Sequence, residues 1–202
     1  MNDSKELLQA NAQQEFLKKL RASTDAMHRQ LENTRLSADL QKKDVSLQEY
    51  GNYLAHMRQV IAFCEEQVFP VVTQQIPDLE KRRKLPLIDA DIKRLEELVT
   101  VPEAGKYQAA VDPANLAFAM GYMYVIEGST LGGRVLLNHI RTALQLDEHS
   151  GGRFFAGYGS EAGTMWKNFI NIFSSYGADE KNTDQVIAGS QYAFSSIENY
   201  FG

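Results

Sequence analysis

Arg21 and His28 stand seven residues apart in a stretch whose apolar residues recur at helical spacing. Offsets of seven and eleven residues come close to whole turns, so Leu17, Arg21, Thr24 and His28 fall nearly in line on one helical face. Along that face Arg21 and His28 are about 10 Å apart at 1.5 Å of rise per residue. A neutral imidazole is a good ligand for haem iron, and a guanidinium is always charged and can grip a carboxylate with two parallel hydrogen bonds. The separation therefore suits a haem, with its iron at one residue and a propionate at the other. Taken alone the pair decides nothing, because helical histidines are more commonly partly buried structural residues.

A second unusual stretch lies further along. Ala114 to Ile140 is long and apolar, yet carries Gly121, Gly128, Gly132 and Gly133, each costly in a helix interior. Gly132 and Gly133 remove two adjacent side chains, which lets backbone approach a flat ligand and favours a kink. Close helix–helix packing is the alternative explanation. The stretch has neither the G-x-G-x-x-G spacing nor the Gly-Lys-Ser/Thr ending of a phosphate loop.

The elements that must position these residues are helical. The first strong pattern runs from about Gln14 to about Asn33, leaving residues 1 to about 12 as a flexible lead. Ser46 caps a helix over Leu47 to Val68, with Glu49 completing a capping box, and Pro70 is expected to bend or stop it. A shorter helix follows over Asp89 to Leu98. Asp112-Pro113 supplies an N-cap and first-turn proline for the glycine-bearing helix. A polar, glycine-rich passage from Asp147 to Gly163 leads to helices at about Thr164 to Ser174 and Thr183 to Tyr200. Tyr122 to Ile126 is the one run that also reads as a strand, and it lacks an evident partner. The expectation is one all-α domain over residues 1–202.

Composition narrows the partners. At 202 residues and 44% hydrophobic content the chain can bury one substantial core. A formal net charge of −5 argues against a general phosphate-binding surface and hence against nucleic acid. Met1 to Leu20 lacks the basic start and apolar run of a signal peptide, and no apolar run is long enough to span a bilayer. A cytoplasmic protein without a membrane anchor is expected. The single cysteine, Cys64, can form no internal disulfide, iron–sulfur cluster or multi-cysteine zinc site, and reads as a small buried hydrophobe.

The segment Leu20-Arg21-Ala22-Ser23-Thr24-Asp25-Ala26-Met27-His28-Arg29-Gln30-Leu31-Glu32 resembles the proximal helix of the haem oxygenases, in which the histidine binds iron. The segment from Gly121 to Gly133 resembles their distal helix, and its Glu-Gly-Ser-Thr-Leu-Gly-Gly form is especially similar to the haem oxygenases that accompany bacterial phytochromes. Phe154-Phe155, Trp166-Lys167 and the run from Val186 through Phe194 to Tyr200 are similar to the family's closing helices. The resemblance spans nearly the whole chain and implies a helical bundle with haem b (iron protoporphyrin IX) between a proximal and a kinked distal helix. Haem is then cofactor and substrate at once. Dioxygen and electrons from an external donor, a ferredoxin or a reductase, open its ring to biliverdin, carbon monoxide and ferrous iron. A bacterial phytochrome is the implied acceptor of biliverdin.

Carried over by position, His28 is the implied iron ligand, Arg21 and Lys167 contact the propionates, Thr24 lies on the haem-facing stripe and Phe194 forms pocket wall. Gly128, Gly132 and Gly133 lie against the distal face, where they steer the oxygen chemistry sterically. The pattern is broken at Ser129, where many members have an aspartate that organises water. Ser129, Thr130 or Glu127 could serve instead, while Glu127 could equally face away in a surface or interhelix salt bridge. Asn171 occupies the position of a further basic contact. His56, His139 and His149 have no matched surroundings, and Tyr122 and Tyr124 read first as core aromatics. Two other readings stay open. One is a haem carrier of the same fold without turnover. The other is a di-iron oxidase, suggested by Asp25-Ala-Met-His28, although no second carboxylate-x-x-histidine unit is present.

Overall fold

The computed structural model describes residues 2–202, with side chains from Lys5 onward, and no strand occurs among them. The helices are α1 (Asn2–Glu32), α2 (Arg35–Leu40), α3 (Leu47–Phe63), α4 (Phe69–Val72), α5 (Leu85–Glu96), α6 (Leu116–Leu144), α7 (Arg153–Ala156), α8 (Ala162–Gly177) and α9 (Glu180–Phe201). Tyr122 to Ile126 lies inside α6 and is helical and largely buried.

α6 is the central element, crossing α9 and packing on α8 and α7, while α1 lies across α9 and α8. Phe16, Leu20 and Thr24 recur every fourth residue and turn one face of α1 into the core. There Phe16 meets Phe173 at 5.5 Å between ring centroids. The crossing of α6 and α9 is a backbone-to-backbone contact. A Cβ on Gly121 would stand 2.0 Å from the Val186 carbonyl oxygen, and one on Gly189 would stand 2.0 Å from that of Phe118. Ser190 seals the crossing by donating its hydroxyl to the Gly121 carbonyl at 2.9 Å.

The capping box at Ser46 forms as the sequence predicts, with Glu49 Oε2 accepting from Ser46 N at 2.8 Å. Several boundaries differ. α1 begins at Asn2 rather than near Gln14, and Gln9 and Gln13 both reach the Ser175 hydroxyl on α8. Met1 lies outside the described residues. Pro70 does not stop the second long helix. A π-turn over Cys64–Val68 precedes it, and this widened turn takes up the misfit where proline cannot donate. The same turn aims Glu65 inward, where its Oε1 accepts from Lys84 N at 2.6 Å and Leu85 N at 2.8 Å. This carboxylate caps α5 and starts it four residues before Asp89. Asp112 makes a local turn, accepting from Ala114 N at 2.9 Å, and the N-cap of α6 is instead Asn115, which accepts from Phe118 N at 3.0 Å.

Candidate active site

α1 and α6 face each other across a cleft of about 330 Å3, closed by Trp166 from α8 and Phe194 from α9. Arg21, His28, Leu31 and Glu32 line it from α1, and Tyr124, Val125, Gly128, Ser129 and Leu131 line it from α6. The His28 side chain is 58% exposed, and its ring meets Phe194 edge-on at 5.7 Å. One turn on, Glu32 places a carboxylate oxygen 3.5 Å from His28 Nδ1. That contact orients the imidazole electrostatically and leaves Nε2 as the nitrogen for a ligand. At the other end of the stripe Arg21 lies beside Tyr124. Burial raises the Tyr124 phenol above its ordinary pKa, and the neighbouring Arg21 acts in the opposite direction. Tyr124 is held in place by stacking on Phe173 at 5.0 Å.

The opposite wall is partly bare backbone. A Cβ on Gly128 would find only the Trp166 ring, at 3.8 Å, whereas Gly132 is exposed, is not among the lining residues, and a Cβ there would meet nothing within 4 Å. Gly133 serves a different purpose, since its Cβ would stand 2.6 Å from the Phe155 carbonyl oxygen. This glycine lets α7 dock on α6. Ser129 donates its hydroxyl to the Ile126 carbonyl at 2.8 Å and Thr130 to that of Glu127 at 2.7 Å. Such back-bonds bend helices, and they leave both hydroxyl oxygens as acceptors.

The structure thus gathers Arg21, His28, Gly128, Ser129 and Phe194 around one cleft. Thr24 lies on the stripe but is buried behind it, its hydroxyl bonded to the Leu20 carbonyl at 2.9 Å. Lys167 is exposed on α8 beside Trp166 and is not among the lining residues. Glu127 is fully buried and faces a cluster, where it accepts from Arg82, from Lys84 Nζ at 2.5 Å and from the Tyr158 hydroxyl at 2.8 Å. Of the two roles open to it in the sequence, the salt bridge is the one formed. Arg82 and Lys84 carried no signal, because their partner Glu127 lies 45 and 43 positions away in the sequence. Glu32 and Tyr124 were findable as one-turn neighbours of His28 and Gly128.

Among the described residues no three His, Cys, Asp or Glu side chains come together to hold a metal ion, so the Asp25/His28 pair has no companions with which to build a di-iron centre. A haem suits the cleft better. His28 offers one oriented imidazole, Arg21 a cation toward one end, Leu31, Val125, Leu131 and Phe194 apolar wall, and Gly128 a surface without a side chain.

The helical architecture and this cleft define an all-α protein built around one histidine facing a glycine-bearing helix. The family model described as heme oxygenase matches residues 14–201, and the chain belongs to that family. The curated protein Heme oxygenase PigA of Pseudomonas aeruginosa is 32% identical over 126 residues, which are 62% of this chain and 60% of that relative's length. Among solved structures, the NO- and CO-bound heme oxygenase of Neisseria meningitidis is similar at a TM-score of 0.74 and 24% identity, covering 93% of this chain and 92% of that one. The heme oxygenase of Leptospira interrogans follows at 0.73 and 17%, covering 92% and 98%. Heme oxygenase-1 of Synechocystis in complex with heme gives 0.68 and 18%, covering 92% and 90%. No helix among the described residues is long and apolar enough to cross a membrane.

Proposed function

We infer that this chain is a haem oxygenase, opening the haem ring with dioxygen and electrons to give biliverdin, carbon monoxide and ferrous iron. The observation that carries the reading is the placement of His28 and Arg21 across one cleft from the backbone of Gly128. Bound haem supplies both the iron that activates dioxygen and the ring that is cleaved. His28 holds the iron through Nε2, oriented by Glu32. As a neutral imidazole, His28 would be a weaker electron donor to the iron than a thiolate. Arg21, next to Tyr124, and Lys167, exposed on α8, would pair with the propionates, Phe194 would form wall, and Thr24 would support the stripe from behind.

Gly128 would leave a low ceiling over the haem, with Gly132, outside the cleft lining, extending the bare stretch of helix, and Gly133 lets α7 brace it. Ser129 accepts a hydrogen bond from water in the cleft, because its own proton is committed to Ile126. The electron donor is a ferredoxin or a reductase, and the reaction belongs in the cytoplasm. The Glu-Gly-Ser-Thr-Leu-Gly-Gly stretch supports a bacterial phytochrome as acceptor of the biliverdin.

The test is to mix the purified protein with haem and a reducing system under air and follow the Soret band. Its replacement by biliverdin absorption supports the reading, and a stable oxy-haem spectrum would leave a carrier without turnover. His28→Ala should abolish the histidine-ligated spectrum, and an unchanged spectrum would mean that another residue binds the iron.

A further inference from the structure

A second groove, of about 560 Å3, runs between α3 with its π-turn and the chain that leads to α6, and it shares no residue with the haem cleft. Arg58, Ala62 and Glu66 follow one another along it at four-residue steps, spanning about 12 Å at the rise of a helix. The facing wall is extended chain. Residues 100–111 belong to no helix, strand or turn and make no backbone–backbone hydrogen bond among the described residues. Three tyrosines fasten this wall instead. The buried Tyr107 hydroxyl meets those of Tyr122 at 3.0 Å and Ser196 at 2.6 Å, Tyr192 accepts from Ala110 N at 2.8 Å, and Tyr200 donates to the Gly105 carbonyl. The groove is therefore preformed, as small-molecule sites usually are.

Its two ends differ in charge. The extended segment runs alongside α3 in the same direction, since Gln48 binds the Thr100 carbonyl at 2.6 Å and the Phe63 ring meets Tyr107 at 5.4 Å. Lys106 therefore lies in the Arg58 half and Val111 toward Glu66. Arg58 gives its Nε to Asp89 at 2.6 Å, which orients the guanidinium and leaves both Nη groups for a carboxylate. Lys106 and Glu66 are exposed and make no ion pair among the described residues. Ala62, Phe63, Ala109 and Val111 supply apolar surface between the ends.

We propose that this groove binds an elongated apolar carboxylate, its acid group held by Arg58 and Lys106 and its body lying over Ala62 and Phe63. Glu66 sets the direction, because it repels a carboxylate at its own end. Two sources share this chemistry, an acyl chain and the open tetrapyrrole that ring cleavage releases. The first stands apart from the haem reading of the cleft, and the second rests on it.

The test uses haem-free protein labelled at its alanine methyl groups, so the outcome does not depend on turnover. Sodium laurate below its micelle concentration and biliverdin are titrated separately by NMR. The Ala62 and Ala109 signals should move saturably with at least one probe, and the probe that moves them identifies the source. Ala119, fully buried in α6, should stay in place. Dodecanol, which lacks the carboxylate, should bind roughly tenfold more weakly than laurate, as should either acid to an Arg58→Gln/Lys106→Gln protein, for loss of charge-assisted hydrogen bonds. An unmoved Ala119 signal in that variant shows that it is folded. Ala62 and Ala109 signals unmoved by both probes, or affinity unchanged in the double variant, would overturn the proposal. Failure of the haem reading would show separately, as absence of the histidine-ligated band when haem is added to the wild-type protein.

Discussion

Lys84 Nζ and the Glu127 carboxylate meet at 2.5 Å with both side chains almost wholly removed from solvent, at 5% and 1% exposure. Arg82, fully buried, binds the other carboxylate oxygen and reaches Asp78 with a second pair of hydrogen bonds at 2.8 Å. The connection from α4 to α5 is thereby fastened to α6 at the residue immediately before Gly128. Ions taken out of water repay their desolvation only while each keeps its partner.

Removal of that one carboxylate should therefore be severe. Glu127→Ala leaves Lys84 a buried cation without a carboxylate and takes from Arg82 one of its two carboxylate partners, and it is expected to cost roughly 3–5 kcal/mol in urea unfolding. Replacing Glu127 and Lys84 together by methionine should recover a large part of the loss, since the uncompensated charge falls with the pair. A Glu127→Ala protein within 1 kcal/mol of wild type, on the scale of an exposed ion pair, would show that water already reaches the cluster.

The contrast between this cluster and the Ser46 capping box explains what the sequence alone could reveal. A capping box is written within four consecutive residues, so local chemistry fixes it and Leu47 is found as the first helical residue. The partners of Glu127 come from positions 82, 84 and 158, and only the folded crossing of their elements brings them together. For the same reason the stripe Arg21–Thr24–His28 was legible as a face, whereas the burial of Thr24 behind it depends on how α1 rolls onto its neighbours. The extra helix at the N-terminus was missed because Lys5 to Ala12 are exposed and carry no core-facing periodicity.

Glu49 gives a pH dependence of known sign. Hydrogen bonds from the Ser46 backbone and hydroxyl, with Lys42 alongside, lower its pKa from 4.5 to about 2. A carboxyl depressed in the folded state binds fewer protons there than in the unfolded chain. Its contribution is complete above the ordinary value and is lost as pH falls from about 4.5 toward 2. Unfolding midpoints measured across that window should fall less steeply for Glu49→Gln than for wild type. Parallel curves would show that the capping box does not persist in solution.

Asp91 should behave in the opposite sense. Burial raises its pKa above 3.8, outweighing the hydrogen bonds it accepts from the backbone of Phe154 and Arg153 at 2.8 and 3.0 Å. Here the folded state holds its proton longer than the unfolded chain, so the Asp91 contribution to stability declines as pH rises from 3.8 through the raised value. Asp91→Ala removes this pH dependence and also releases α7 from α5. It should cost about 1–3 kcal/mol at neutral pH, because two buried N–H groups lose their acceptor. Hydrogen exchange at Arg153 and Phe154 would read the release directly, and protection as in wild type would contradict it.

The glycines of α6 make the sharpest test, because one substitution has opposite outcomes about three turns apart on one helix. Alanine stabilises an exposed helix interior over glycine by roughly 0.5–1 kcal/mol when its methyl has room. At Gly132 that methyl meets nothing within 4 Å, so Gly132→Ala should raise stability by about that amount in a denaturant titration. At Gly121 the same methyl would stand 2.0 Å from a carbonyl oxygen of α9, and the two backbones cannot both stay where they are. Gly121→Ala should lose more than about 3 kcal/mol, beyond the usual range of single substitutions. The functional consequence separates the two further. Gly132→Ala adds one methyl to an exposed face of α6 in a well-folded protein, so any change in its haem spectrum or in the biliverdin isomer it forms would report on that methyl alone. A destabilised Gly132→Ala protein would mean that α6 departs from helical geometry there, in conflict with its unbroken course from Leu116 to Leu144.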